Sequence, residues 1–262
     1  MPDRSHIGML LLIQGTRPDR MEDRFLRENL VSYRPAPSTT PNQNSVNIGD
    51  LDSGLRAFHK PLRGVKLELA AVYGHEAVGV GLNECAAWRL ARFLGAPYDE
   101  MVPVTVMRYH EANSAVKLQY PWIADGWGSF ASEKPGTSLD PTPLSIPALT
   151  DAAAFFDALI AQQDRHLAQY RWDQEDGLLG LIDHGFAFAR PGDPFNDSVF
   201  VRQRHAEGRE KLDQLEQEAL ERVEKADLIG LEDILDPKQI SALEGRIRRM
   251  RQGGELLAPG DW

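Results

Sequence analysis

The sequence predicts a mixed α+β fold of two lobes, with strands concentrated in the first half of the chain and helices in the second. Short β-like runs separated by turn residues fill positions 30–69. Apolar residues at helical spacing mark positions 82–94, and residues 202–252 combine that spacing with many charges. With 262 residues, 42% of them hydrophobic and 26% charged, the chain is long and apolar enough to bury a core.

The first 29 residues are expected to form a lead-in segment. Their apolar run at 7–13 is far shorter than a membrane span and no small-residue cleavage site follows it, so neither an anchor nor an export signal is predicted. After turn residues at 15–19, residues 21–29 have the pattern of a short charged amphipathic helix.

The small lobe is expected to begin at residue 30 with three short strands. These are predicted at positions 30–33, 45–48 and 55–58, and Asp-Ser-Gly at 52–54 is typical of a hairpin turn between the last two. The small lobe therefore begins as an antiparallel sheet.

A helix is predicted to follow these strands. Residues 72–81 contain three glycines and favour a flexible connection, after which a helix can begin at Asn83 and Glu84. Gly95 and Pro97 provide its stop signal.

Residues 102–107 and 116–120 are predicted to form an antiparallel pair that continues the sheet. The Gly-, Ser- and Pro-rich stretch 127–147 then marks either a lobe boundary or an inserted loop. We place the boundary near Asp125, which divides the chain into a lead-in at 1–29, a small lobe at 30–125 and a large lobe at 126–262.

The large lobe is expected to be mainly helical. Thr150 can cap a helix from Asp151 to about Gln163, and residues 178–182 form a short apolar strand. Asp236 followed by proline separates two charged helices within the C-terminal part.

Charge and cysteine content exclude several classes of protein. The 29 basic and 39 acidic residues give a net charge of −10, which argues against a surface that binds nucleic-acid backbone or anionic lipid. The single cysteine, Cys85, cannot form a disulfide within the chain or supply a four-cysteine zinc site. A cytoplasmic protein with no nucleic-acid or membrane partner is therefore expected.

Two acidic residues stand out by their context. Asp164 follows a predicted helix, and Asp183 follows a predicted strand and precedes His-Gly. Phosphoryl transfer needs such a pair, because one carboxylate orients the attacking hydroxyl and another holds the metal on the phosphates. Taken alone, each short motif is equally typical of turn and cap chemistry.

Lys60 and Glu84 complete the pattern in the first half of the chain. Lys60 ends a predicted strand, and Glu84 lies in the predicted first turn of the next helix. A strand lysine paired with a helix glutamate is how protein kinases position the α- and β-phosphates of ATP. A solvated lysine and an acidic helix start are the ordinary alternatives, but four such residues in this order favour the catalytic interpretation.

These motifs resemble the HipA-like and phosphatidylinositol-kinase-like branch of the protein-kinase fold, particularly its actinobacterial members, over about residues 30–190. The match lies in the strand Lys-Pro at 60–61, Asp-Arg-His at 164–166 and Ile-Asp-His-Gly at 182–185. The resemblance implies a two-lobed kinase-like fold that binds ATP and Mg2+. Asp164, Lys60 and Glu84 would then be catalytic, and Asp183 would bind the metal.

The resemblance also implies nucleotide contacts. The polar loop at 42–46, with Asn44 and Ser45, is similar to the loop that replaces a glycine-rich phosphate loop in HipA-like kinases. Gln119, Tyr120 and Trp122 stand where the segment that holds adenine would lie. The family has a metal-binding Asn five residues after the loop aspartate, whereas this chain has Gln169, whose carbonyl oxygen is the same type of ligand on a longer stem.

The sequence thus predicts an ATP- and Mg2+-dependent phosphotransferase, and the resemblance implies that its acceptor is a Ser or Thr hydroxyl of a protein. Two alternatives stay open. Gln169 and the charged C-terminal helices suit a nucleotide-binding pseudokinase that serves as an interaction module. An AMP transferase of the same fold would use the same residues with the nucleotide inverted in the cleft.

Overall fold

The computed structural model describes residues 20–37, 44–193, 198–258 and 260–261. The apolar run at 7–13, the turn at 15–19 and positions 42–43 of the polar loop lie outside the described residues. The helices and strands, in chain order, are α1 (Arg20–Arg27), β1 (Leu30–Pro35), β2 (Asn47–Leu51), β3 (Arg56–Pro61), α2 (Leu67–Val72), α3 (Ala77–Leu94), α4 (Tyr98–Met101), β4 (Thr105–His110), α5 (Ser114–Gln119), β5 (Gly126–Ser132), α6 (Pro147–Ile160), β6 (Tyr170–Asp173), β7 (Leu178–Leu181), α7 (Val199–Ala206), α8 (Gln214–Lys225) and α9 (Pro237–Gly253).

The predicted α+β architecture is confirmed. Five antiparallel strands form one sheet in the order β1-β2-β3-β5-β4, and β6 pairs with β7 in a separate hairpin. The predicted hairpin turn at 52–54 joins β2 to β3. Most of the remaining chain is helical and surrounds one large apolar core, to which Phe155, Phe156, Phe188 and Phe200 contribute fully buried rings. Within the described ranges, no helix combines the length and apolar character needed to cross a bilayer.

The short amphipathic helix predicted near the N-terminus is present as α1. Phe25 on this helix is fully buried against Leu51, Val106 and Phe130 of the sheet. The chain from Arg20 onward is therefore packed as part of the small lobe, where the sequence suggested a separate lead-in.

The predicted strand at 116–120 is wrong, because these residues form α5. The side chain of Asn113 caps this helix by accepting a hydrogen bond from the Val116 amide at 3.0 Å. The partner of β4 is β5, which lies between β3 and β4, so the chain leaves the sheet after Ser132 and the boundary near Asp125 falls too early.

The composition of β5 explains why it was predicted as a loop. Its glycines give no β-branched signal, yet Gly128 is required by packing. A Cβ at Gly128 would lie 2.5 Å from Nε2 of His59 on the neighbouring strand. A residue with a side chain would overlap the strand that carries Lys60.

The predicted start of the long helix at Asn83 is also wrong. Helix α3 begins at Ala77 and takes in Gly79 and Gly81 before it ends at Gly95, which has a φ of 74°. Gly81 permits close packing, since a Cβ there would lie 2.9 Å from Cδ2 of Leu62. Glu84 therefore lies about two turns inside the helix, not in its first turn.

Two predicted helices of the large lobe are present, one with an earlier start and one with the predicted start. Helix α6 begins at Pro147, so Thr150 lies inside it and is not its cap. The hydroxyl of Thr150 donates to the Pro143 carbonyl at 3.0 Å. Helix α9 begins as predicted after Asp236, which forms a capping box with Gln239.

Candidate active site

A cavity of about 900 Å3 lies beneath the sheet and opens between the two lobes. Its walls combine apolar side chains from the sheet with charged residues from both lobes. The lining includes Ile48, Phe58 and Ala131 on the sheet side and Ile182 and Asp183 on the other side. Ligand sites of small molecules have this volume and this mixture of surfaces.

The ammonium of Lys60 joins three elements at the wall of this cavity. Because side chains alternate along β3, Lys60 faces the cavity while its neighbour His59 is buried on the other face of the sheet. The Nζ atom of Lys60 donates to Oε1 of Glu84 on α3 at 2.5 Å and to Oδ1 of Asp183 at 2.8 Å. The structure thus brings together the predicted strand lysine, helix glutamate and metal-site aspartate.

These contacts fix the charges of Lys60 and Asp183. Burial alone would lower the pKa of Lys60, but the two carboxylates beside it raise that pKa above its usual range. Burial alone would raise the pKa of Asp183, and the charge of Lys60 together with its hydrogen bond holds that pKa below its usual range. Lys60 is therefore cationic and Asp183 is anionic at neutral pH.

The backbone around Asp183 is held in an unusual conformation. Asp183 has a φ of 61°, in the left-handed region that few non-glycine residues adopt. Its carbonyl accepts a hydrogen bond from Nε2 of Gln162 at 2.8 Å. The side chain of Asn83 donates to the carbonyls of Gly185 and Ala187, both at 2.9 Å. Helix α3 and the chain after α6 therefore hold the turn that presents the Asp183 carboxylate.

Asp164 lies in the loop that follows α6, beside Gln169. The Nε2 group of Gln169 donates to Oδ2 of Asp164 at 3.3 Å. The other end of the amide, Oε1 of Gln169, is buried and accepts no hydrogen bond from the described residues. A buried carbonyl oxygen without a donor is costly unless a ligand completes it, so this atom is a candidate metal ligand.

The residues present fit a hard divalent cation of the Mg2+ type. Asp183 supplies a carboxylate that is 41% exposed and lines the cavity, whereas Asp164 and Gln169, with its unused carbonyl oxygen, are not part of that lining. Among the described residues no cluster of three or more His, Cys, Asp or Glu side chains could hold a metal by itself. A metal at this site would therefore need further oxygen ligands, from water or from a bound phosphate.

Arg165 connects the two halves of the candidate site. It is fully buried and donates from Nε and Nη2 to the Asp157 carboxylate on α6, at 3.1 to 3.2 Å. Its Nη1 donates to the carbonyl of Gln169 at 2.6 Å and to the carbonyl of Ile182. One guanidinium thus ties the loop that carries Asp164 to the strand end that presents Asp183.

The two histidines beside the acidic pair have different environments. His184 is fully buried, packs edge-on against Phe156, and burial lowers its pKa well below the usual value, so its ring is neutral. His166 is half-exposed, and its Nε2 lies 3.9 Å from Oδ2 of Asp164. His166 braces its loop locally, since its Nδ1 accepts a hydrogen bond from the Ala168 amide at 3.2 Å, whereas His184 contributes packing.

The predicted nucleotide contacts divide into two groups. Asn44, Ser45 and Trp122 line the cavity, whereas Gln119 and Tyr120 are not part of its lining. Gln119 ends helix α5, and of the three residues predicted to hold adenine only Trp122 borders the cavity. The segment that follows β5 also borders it, through Glu133 and Lys134.

Several charged residues of the lining were not predicted from the sequence. Lys66, Glu133, Lys134 and Arg171 all border the cavity. Arg171 lies on β6, whose pairing with β7 could have been found from the Asp-Gly turn at 176–177, a strong hairpin signal. The cleft is therefore more basic than the predicted residues alone suggest.

Comparison with solved structures identifies the fold. No family model and no curated protein sequence matches the chain. The Golgi casein kinase with manganese and ADP bound is similar, with a TM-score of 0.56 and 16% identity over 90% of this chain and 76% of the kinase chain. The chain has a protein-kinase-like fold. A second Golgi casein kinase structure gives a TM-score of 0.54 at 15% identity, covering 92% of this chain and 80% of that one.

The protein-kinase-like fold agrees with the arrangement of sheet, α3 and cleft described above. A weaker similarity, with a TM-score of 0.43 and 10% identity, links 85% of the chain to 93% of the Helicobacter pylori proinflammatory kinase CtkA. None of these structures tests the resemblance to the HipA-like branch, which stays a prediction.

Proposed function

We propose that this protein is an ATP- and Mg2+-dependent phosphotransferase whose acceptor is a Ser or Thr hydroxyl of another protein. The observation that carries the proposal is Lys60, which joins Glu84 and Asp183 at the wall of a cleft of about 900 Å3. A lysine held in this way is arranged to bind nucleotide phosphates. The Golgi casein kinase with manganese and ADP bound gives further support, because it has a similar fold.

Each residue of the site has one task in this proposal. Lys60 donates hydrogen bonds to phosphate oxygens, and Glu84, only 2% exposed, keeps the ammonium in place. Asp164 accepts a hydrogen bond from the acceptor hydroxyl and orients it toward the phosphate. Asp183 and Gln169 would hold a divalent metal, which when bound neutralises charge on the phosphate oxygens.

The acceptor is proposed from charge and from the resemblance. A net charge of −10 disfavours docking on an anionic lipid surface, since such surfaces attract basic segments. The predicted resemblance favours a protein hydroxyl.

Incubation with Mg-ATP followed by intact-mass measurement tests the reaction type. A phosphate adduct supports the proposal, an AMP adduct identifies an AMP transferase, and a chain that binds ATP with no adduct on itself or on added protein acceptors fits a pseudokinase.

Lys60→Ala is expected to remove most of the stabilisation by Mg-ATP. A ligand that binds only the native state stabilises it by about 2.7 kcal/mol at a hundredfold excess over Kd. Thermal unfolding with and without saturating Mg-ATP measures the shift in Tm. Lys225→Ala is the matched control, because Lys225 pairs with Glu221 on an exposed face of α8. An unchanged Tm of the native protein with ATP and several divalent metals would contradict any nucleotide-cleft function.

Substitutions at Gln169 are expected to separate an enzyme from a pseudokinase. If its buried Oε1 ligates the metal, Gln169→Ala should weaken metal-dependent ATP binding, while Gln169→Asn should preserve or raise activity. The measurement is the Mg2+ dependence of ATP binding and of ADP release. A Gln169→Ala variant with full activity would show that the second metal ligand lies elsewhere in the loop before Leu178.

A further inference from the structure

Helix α1 makes a polar contact with α3 that the catalytic proposal does not use. Oε1 of Glu22 accepts a hydrogen bond from the indole Nε1 of Trp88 at 2.7 Å. Its Oε2 accepts one from Nη1 of Arg92 at 2.9 Å. One largely buried carboxylate, with a side chain 15% exposed, therefore holds two residues that are one helical turn apart on α3.

The same helix is anchored to the sheet at its other end. Phe25 is fully buried on the face of the sheet turned away from the cleft. Arg108 on β4 donates to the carbonyl of Phe25 at 2.9 Å and to the carbonyl of Glu28 at 2.6 Å. These donors complete carbonyls at the C-terminal end of α1, where the helix itself supplies none. Helix α1 is thus a fixed connection between the sheet and α3.

The contact with α3 lies on the side of that helix that bears the candidate catalytic glutamate. Glu84, Trp88 and Arg92 follow one another at intervals of four residues, so they share one stripe of the helix. Because a helix turns nearly as a rigid body, a restraint on Trp88 and Arg92 also restrains the rotation of Glu84. The Lys60–Glu84 distance of 2.5 Å depends on that rotation.

We propose that Glu22 is a positioning residue that keeps α3 in the rotation at which Glu84 reaches Lys60. The inference rests on the proposed function, in which that pair prepares the cleft for nucleotide phosphates. Without the Glu22 carboxylate, α3 would sample rotations in which Lys60 lacks its helix partner, and only a fraction of the molecules would be competent to bind Mg-ATP.

The test compares Glu22→Ala with Asp23→Ala, since Asp23 is the next residue of α1 and pairs with Arg27 one turn away on the exposed side. Mg-ATP affinity of the full chain is measured by calorimetry. We expect Glu22→Ala to weaken binding about tenfold, within the range typical of coupling between sites, and Asp23→Ala to leave it unchanged. Equal affinities for the native protein and Glu22→Ala would overturn the inference.

A double-mutant cycle separates positioning from a general loss of stability. In a Glu84→Gln background, Glu22→Ala should cause little further loss of affinity, because its effect passes through Glu84. The same loss in both backgrounds would refute the positioning role.

Hydrogen exchange of the α3 amides gives a readout that needs no nucleotide. Exchange should increase in Glu22→Ala and stay unchanged in Asp23→Ala, and unchanged exchange in both would also overturn the inference. If the native protein fails to bind Mg-ATP while α3 responds in this way, the proposed function fails and the restraint on α3 stands.

Discussion

Asp164→Asn is expected to abolish turnover while it leaves Mg-ATP binding nearly intact, whereas Asp183→Asn should weaken the metal-dependent part of binding. In the proposed mechanism the first residue acts mainly in the transition state, so its loss should cost rate, by about 10²–10⁴-fold for a group that accepts or orients a proton. The second residue faces the cleft and bears a negative charge beside Lys60. Loss of this carboxylate should therefore weaken the binding of nucleotide together with metal.

The measurements are ADP release and protein phosphorylation for rate, and calorimetry with and without Mg2+ for binding. Asp173→Asn is a suitable control, because Asp173 accepts hydrogen bonds from the amides of Glu175 and Asp176 at an exposed turn. If Asp164 and Asp183 were merely turn residues, each substitution would cost about 0.5–2 kcal/mol of stability with no selective effect on ATP. Equal effects of both substitutions on binding would contradict the division of tasks.

Arg165→Met is expected to be among the most destabilising single substitutions in the large lobe, by about 3–5 kcal/mol at neutral pH. It removes the hydrogen bonds to Asp157 and to the carbonyls of Gln169 and Ile182, all in a fully buried environment. The Asp157 carboxylate would retain only the hydroxyl of Ser198, which donates to it at 2.8 Å. Urea unfolding monitored by circular dichroism measures the loss.

The pH dependence of this variant has a definite sign. Burial raises the pKa of Asp157 above its usual value even with Arg165 beside it, and removal of the guanidinium would raise it further. A carboxyl whose folded pKa exceeds its unfolded pKa contributes stability at low pH and loses it as the pH rises. The difference between Arg165→Met and the native protein should therefore shrink toward pH 4. Arg27→Met, in an exposed pair with Asp23, should change stability by less than about 0.5 kcal/mol at either pH.

Local sequence signals were sufficient where one residue and its neighbours decide the structure. A lysine at the end of an apolar strand and an aspartate after another strand were both placed in the right kind of element, because strand ends are marked by short-range patterns. The helix start after Asp236 was found for the same reason.

One failure was local: Val116 and Tyr120 favoured a strand, but the Asn113 side chain caps a helix there. The other failures arise where contacts distant in sequence decide the structure. Strand β5 carries glycines that only its neighbours explain, and with it the sequence missed Glu133 and Lys134 of the cleft. Arg165 was recognised as part of a motif, but its pairing with Asp157 depends on how α6 packs against the loop.

Lys60 and Asp183 form an ion pair with each other at the wall of the cleft. If, as proposed, a nucleotide phosphate binds Lys60 and a cation binds Asp183, each ligand competes with this ion pair for its residue. A phosphate or a cation that binds alone must separate Lys60 from Asp183 and leave one of them without its partner. When both bind, the Lys60–Asp183 pair is replaced by a Lys60–phosphate pair and an Asp183–cation pair. The two binding equilibria are therefore linked, and by reciprocity the factor by which the cation raises nucleotide affinity equals the factor by which the nucleotide raises cation affinity.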